Sequence, residues 1–223
     1  MILIRLENIK KTFRIGKETK TIFQQVNLQF WYKGLYIIKG ASGSGKSTLL
    51  KLLAGLVYPT TGQYYYKDNL LTFQDRSMAR FRHRECGFIF QNYQLIDGMN
   101  ALENVAFPLI VDGLSTNQAE KKAKELFSLF HLEDKMQDSV KTLSGGEKQR
   151  IAIMRAMVMN PSFYLCDEPT GALDSENAHF VMQMLKKIAL EHLVIVVTHH
   201  HGLAKKYGDK ILVLKEGHFY EEK

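Results

Sequence analysis

Short apolar runs that each end in polar or glycine-rich residues are the strongest regularity along this chain. Tyr36-Ile37-Ile38 leads into Gly40-Ala41-Ser42-Gly43-Ser44-Gly45-Lys46-Ser47-Thr48, Phe163-Tyr164-Leu165-Cys166 into Asp167-Glu168, and Leu193-Val194-Ile195-Val196-Val197 into Thr198-His199. Unbroken apolar runs of this length predict strands buried on both faces, the habit of parallel sheets. Ligands of open parallel sheets gather beyond the carboxyl ends of the strands, so three runs ending in reactive side chains predict one shared site. Helical patterns lie between them. One covers residues 46–56 and stops short of Pro59. Another opens on a capping box, Ser115 with Gln118, and repeats apolar residues at Ala119, Ala123, Leu126, Phe127 and Phe130, a spacing that keeps one face dry. The N-terminal third, with Phe13 and residues 21–30 and 62–66, reads as strand-rich and antiparallel. A segment from about 92 to 141 reads as helical and inserted, and with the helix that follows Ser144 the helical subdomain runs over about 92–160. The expectation is one α/β domain over 1–223: a mainly parallel sheet, an N-terminal antiparallel β subdomain and an inserted helical subdomain.

Composition narrows the class without naming a ligand. Hydrophobic residues make up 45% and charged residues 24% of 223, ordinary values for a globular chain, which excludes disordered and collagen-like architectures. The longest apolar runs, such as 193–197, are far short of the roughly 20 residues that cross a bilayer. The start, Met1-Ile2-Leu3-Ile4, meets Arg5 too soon for a signal peptide. The chain is therefore expected to be cytosolic, with any membrane part on another polypeptide. A net charge of +7 suits nucleic acid, an anionic membrane surface or a bound polyphosphate, and does not choose among them. Cys86 and Cys166 have no metal-binding or redox spacing and stand beside apolar residues, which predicts buried reduced thiols.

The motifs choose. Gly40 to Ser47 fits the phosphate loop G-x-x-x-x-G-K-[ST] in full. Its glycines let the backbone wrap a polyphosphate, and the helix that begins there adds its positive end. Lys46 is placed to neutralise the terminal phosphates and Ser47 to hold Mg²⁺ through its hydroxyl. Asp167, at the end of a buried strand, is where Mg²⁺ needs a second protein anchor. Glu168, pointing elsewhere in a regular strand, is placed to orient or deprotonate an attacking water. In Leu143-Ser144-Gly145-Gly146-Glu147-Lys148-Gln149-Arg150, Ser144 and Glu147 form a capping box, and two glycines in the first turn leave backbone N–H groups uncovered. That makes a second anion site, facing another phosphate or the same one from the opposite side.

Leu143–Arg150 resembles the signature motif of the ABC transporter ATPases, and the other elements follow in that family's order over essentially the whole chain. The phosphate loop corresponds to Walker A, and the run ending at Asp167-Glu168 to Walker B. Gln91, 45 residues after Lys46, corresponds to the Q-loop, Gly171-Ala172-Leu173-Asp174 to the D-loop, and His199, 31 residues after Glu168, to the switch histidine. The resemblance implies a P-loop NTPase core binding ATP and Mg²⁺, with a homodimer of ATPase subunits in the ATP-bound state. Each ATP would lie between Gly40–Thr48 of one subunit and Ser144, Gly145 and Gly146 of the other. It implies Glu168 and His199 as catalytic residues and Ser47, Gln91 and Asp167 as the Mg²⁺ set. Phe13, 27 residues before Gly40, takes the place of the aromatic that stacks on adenine, or is a buried strand residue. His199 is followed by His200-His201 where the family usually has Asp; three consecutive side chains do not easily converge on one metal.

Gly87-Phe88-Ile89-Phe90-Gln91 followed by Ala101-Leu102-Glu103-Asn104-Val105 is similar to the group serving macrolide export, lipoprotein release and export of, or resistance to, antimicrobial peptides. Lysine outnumbers arginine 22 to 8, a hint of an AT-rich genome that tilts the reading toward peptides. The partner implied is an integral membrane permease, with the chain peripheral on the cytoplasmic face of the membrane. A cell-division type of ABC ATPase that signals through its partner is the rival within the group. Soluble ABC proteins of DNA repair or translation carry long insertions or tandem cassettes that are missing here, so no nucleic-acid partner is expected.

Overall fold

The three apolar runs lie side by side. In the computed structural model, which describes residues 1–16 and 18–222, β1 (Ile2–Ile15) and β2 (Glu18–Trp31) pair antiparallel and β3 (Gly34–Lys39) leads into α1 (Lys46–Leu53). Then come β4 (Thr61–Tyr66), β5 (Asn69–Leu70), α2 (Asp75–Glu85) and β6 (Cys86–Ile89). Helices α3 (Ala101–Val111), α4 (Thr116–Leu129) and α5 (Gly145–Met157) precede β7 (Phe163–Asp167), α6 (Ser175–Ile188) and β8 (Leu193–Val197). The described chain closes with α7 (His201–Tyr207), β9 (Lys210–Lys215) and β10 (His218–Glu222). One sheet has the order β2-β1-β4-β5 and is antiparallel throughout. The other runs β10-β9-β3-β8-β7-β6, with only β9 and β10 antiparallel. The expected α/β architecture, with a mainly parallel sheet and an antiparallel β portion at the N-terminus, is thus present.

Alternation along the buried strands divides two cores. Leu35, Ile37, Tyr164, Cys166, Val194 and Val196 face a layer of residues from α3 to α7. Tyr36, Ile38, Phe163, Leu165, Ile195 and Val197 face the antiparallel sheet, α1 and α2. Every residue of β8 is buried, as a strand covered on both faces requires. Ala119, Ala123 and Phe127 of α4 and its C-cap Phe130 are fully buried, and Gln118 accepts from the Ser115 backbone N–H at 3.2 Å. Cys166 is buried and Cys86 half-buried, both free thiols. No helix among the described residues is long and apolar enough to cross a membrane.

The structure departs from the pattern in two places. The first helix ends at Leu53 instead of reaching 56. Gly55 takes φ 65°, and the amides of Leu56 and Val57 turn back to the Lys51 carbonyl, a left-handed C-cap that stops a helix whatever follows. Helix α2 is invisible to the apolar pattern because only Met78 and Phe81 of its eleven residues are buried hydrophobics, too thin a stripe to show a period. Because Ile195 packs from the central strand into one core, Ile195→Ala should lower the unfolding free energy by about 3 kcal/mol. Urea denaturation measures it; a loss below about 1 kcal/mol would contradict the packing described.

Candidate functional site

Strand register builds a cleft. Val197 of β8 is paired with Ile38 on one side and with Asp167 on the other, so β3, β8 and β7 end abreast. The chain leaving β3 must pass tightly beneath β9: a β-carbon on Gly40 would lie 2.6 Å from the Leu214 carbonyl oxygen. Further along, Gly45 takes φ 108°, and a β-carbon there would meet Ile22 at 2.5 Å. Both positions therefore exclude any larger residue. The loop closes on itself: the Lys46 ammonium donates to the carbonyls of Gly40 at 2.8 Å and Ala41 at 2.9 Å. Ser44 Oγ is buried without a protein partner among the described residues.

Ser42, Gly43, Lys46, Ser47, Gln91, Asp167, Glu168, Val197 and His199 line one cleft of about 310 Å³. Ser47 donates to Asp167 Oδ1 at 3.1 Å across it. Burial pushes the Asp167 carboxyl above the ordinary carboxylate range against the pull of the Ser47 hydroxyl, and neighbouring Glu168 pushes the same way. In a regular strand Glu168 would face away from Asp167. Instead its φ is 47°, its amide donates to the Val197 carbonyl, and both carboxylates line the cleft. Glu168 Oε1 stands 3.0 Å from His199 Nδ1. Gln91 belongs to the same wall: a β-carbon on Gly171 would sit 3.7 Å from its Nε2.

A second constellation forms at the start of α5. Ser144 caps the helix and Glu147 accepts from the Ser144 backbone N–H and hydroxyl, each at 2.7 Å. Gly146 packs on α6 so closely that a β-carbon would fall 2.4 Å from Asn177 Oδ1. Asn177 is held in turn by Asp174, the N-cap of α6. Tyr93 Oη would lie 3.1 Å from a β-carbon on Gly145, and Arg155 donates to the carbonyls of Tyr93 and Gln94. Ser144, Gly145 and Gly146 are not among the residues lining the cleft. Phe13 lies on β1, 37% exposed, with the Lys11 ammonium 4.6 Å from its ring centre; it is not a core residue. Tyr93, Arg155 and Asn177 carry no motif of their own and escape sequence reading; the carbonyls that Arg155 braces directly follow Gln91 and Asn92.

Residues 23–171 match the model of the ABC transporter family. The chain is 40% identical to the uncharacterized ABC transporter ATP-binding protein MJ0796 of Methanocaldococcus jannaschii, covering 99% of this chain and 96% of that one. It is 36% identical to the lipoprotein-releasing system ATP-binding protein LolD of Desulfotalea psychrophila over the full length of both. It is 37% identical to the macrolide export ATP-binding/permease protein MacB 2 of Aeromonas hydrophila, spanning about a third of that longer protein. Among solved structures, a dimeric post-hydrolysis state of the ATP-binding cassette MJ0796 bound to ADP and Pi superposes with a TM-score of 0.90 at 37% identity, covering 99% of this chain and 98% of that one.

The hydrogen bonds from Ser144 hold the Glu147 carboxyl below its ordinary range. A carboxyl lowered in the folded state adds stability above its unfolded value, near 4.3, and loses it as pH falls through the folded value. Ser144→Ala should therefore cost about 1 kcal/mol at pH 7, and the gap from wild type should narrow at pH 4. Urea midpoints at the two pH values decide it; a gap that widens on acidification would contradict the capping geometry.

Proposed function

The chain belongs to the ABC transporter family, and on that premise we propose that it binds and hydrolyses ATP to drive a separate membrane permease. The observation that carries this reading is the cleft in which Lys46, Ser47, Asp167, Glu168 and His199 meet. Gly40, Ala41, Ser42, Gly43, Ser44 and Gly45, with Thr48 in the first turn of α1, supply backbone donors and hydroxyls for the phosphates. Lys46 exchanges its loop carbonyls for the β- and γ-phosphates. Phe13, exposed on β1, offers an open π face to the adenine.

Ser47 Oγ and Asp167 Oδ1, hard oxygen donors 3.1 Å apart, suit Mg²⁺, with Gln91 from the adjoining wall as a third contact. Bound there, the ion neutralises charge on the phosphates. Glu168 is the group that orients and polarises the attacking water, and His199, paired with it at 3.0 Å, turns to the γ-phosphate. Ser144, Gly145 and Gly146 lie outside the cleft lining, which supports a homodimer in which they close the partner's ATP site.

The subunit acts at the cytoplasmic face of the membrane, docked on an integral permease, and its partners do not include nucleic acid. The cargo class is peptides or other amphipathic compounds, exported or resisted, as the likeness to MacB 2 and the lysine-rich composition support. Lipoprotein release is the second reading, favoured by the full-length match to LolD.

Glu168→Gln keeps the side chain's size and removes the charge that polarises water. ATP binding should survive while turnover falls by about 10² or more, so ATP should accumulate in a stable dimer. Size-exclusion chromatography with ATP measures that directly. Full hydrolysis by the variant would overturn the assignment of Glu168.

A further inference from the structure

Lys39 is the last residue of β3, the position before Gly40, and its residue is only 5% exposed. A buried ammonium needs partners, and leaving it without one is strongly destabilising. Two are present. Glu222 of β10 forms an ion pair with it, and His201 of α7 places Nδ1 3.5 Å from its Nζ. An ammonium only donates, so Nδ1 is the acceptor of that contact. Lys39 in turn holds the Glu222 carboxyl below its ordinary range, with the charge of Lys205 acting in the same direction. One ammonium thus ties together the strand that feeds the phosphate loop, the edge strand of the sheet and the first residue of α7.

Helix α7 packs Leu203 and Ala204 into the core, but no side chain caps its start. It is seven residues long and its N-cap, His200, makes no side-chain capping bond; the His200 amide turns back to Thr198 Oγ1 at 3.1 Å. His199 stands two residues before His201, so its backbone is at most about 7 Å from the anchored residue. Its amide and its Nδ1 both face the Glu168 carboxylate, at 3.4 and 3.0 Å. A shift of about 1 Å in a catalytic group costs up to about 10² in rate, so the anchor of α7 bears directly on hydrolysis.

We propose that Lys39, clamped by Glu222, is a positioning residue for ATP hydrolysis: through His201 it sets where His199 stands relative to Glu168 and the phosphate loop. This inference rests on the ATPase reading given above. Lys39 touches no substrate in it, and its effect runs through the loop carrying His199.

The test is steady-state ATP hydrolysis by the full chain and by Lys39→Met, His201→Leu, His201→Asn and the double variant Lys39→Met/His201→Leu, with thermal midpoints alongside. Lys39→Met fills similar space without the charge, and His201 is exposed, so His201→Leu keeps the fold in any case. Each of these two should lower kcat about tenfold with KM for ATP changed less than about twofold. The double variant should be no slower than the slower single one, because both remove the same contact. His201→Asn, whose Oδ1 can accept from the ammonium, should retain kcat within about twofold. Single variants with wild-type kcat, losses that multiply in the double variant, or an Asn variant as slow as the Leu variant would each overturn the proposal. A wild-type chain that does not hydrolyse ATP would overturn the functional reading and this proposal together; a hydrolysing wild type with indifferent variants would overturn this proposal alone.

Discussion

The register of three parallel strands is the constraint on which the rest of the site depends. Val197 pairs with Ile38 and with Asp167, so the chain leaves β3, β8 and β7 at one level. The phosphate loop, the two carboxylates and His199 have to emerge together. Slipping one strand by a single residue would move its inward set to the opposite face, and here that would trade one hydrophobic core for the other. Burial on both faces therefore specifies the active arrangement as firmly as it specifies the fold. Gly40 completes the constraint, since only a residue without a β-carbon passes under the Leu214 carbonyl.

Much of this was legible in the sequence because the relevant signals are strong and local. Five consecutive apolar residues at 193–197, or a G-x-x-x-x-G-K-[ST] run after a strand, leave little room for another structure. The capping boxes at Ser115 and Ser144 are equally local, and both form. What escaped depends on contacts distant in sequence or on backbone angles. The αL turn at Glu168 brings a residue that strand alternation would send away into line with Asp167. Helix α2 buries two hydrophobics and owes its place to contacts such as Arg82 donating to the Gly55 carbonyl. Strand β10 reads poorly because it forms the sheet's edge, where it is largely exposed.

The two constellations differ in how they are held. The cleft stands at the ends of strands that are buried on both faces. The start of α5 is held by side chains: Glu147 on Ser144, Asp174 on Asn177, and Arg155 on the carbonyls after Gln91. These contacts are three separate local sets outside the cleft lining, the first two brought together where Gly146 packs on Asn177. Arg155, on the helix that Ser144 caps, thus fixes the backbone just after Gln91, a residue of the cleft wall.

In the proposed dimer, an active site takes the cleft of one copy of the chain and the start of α5 from the other. Ser144→Arg blocks the helix start and Lys46→Ala the phosphate loop, so neither variant alone retains a whole site. A mixed dimer pairs one intact loop with one intact helix start. The direct measurement is ATPase activity of the two variants separately and mixed at the same total concentration. Each variant should be inactive alone and mixing should restore part of the activity; a Ser144→Arg protein hydrolysing ATP at the wild-type rate by itself would contradict the shared site.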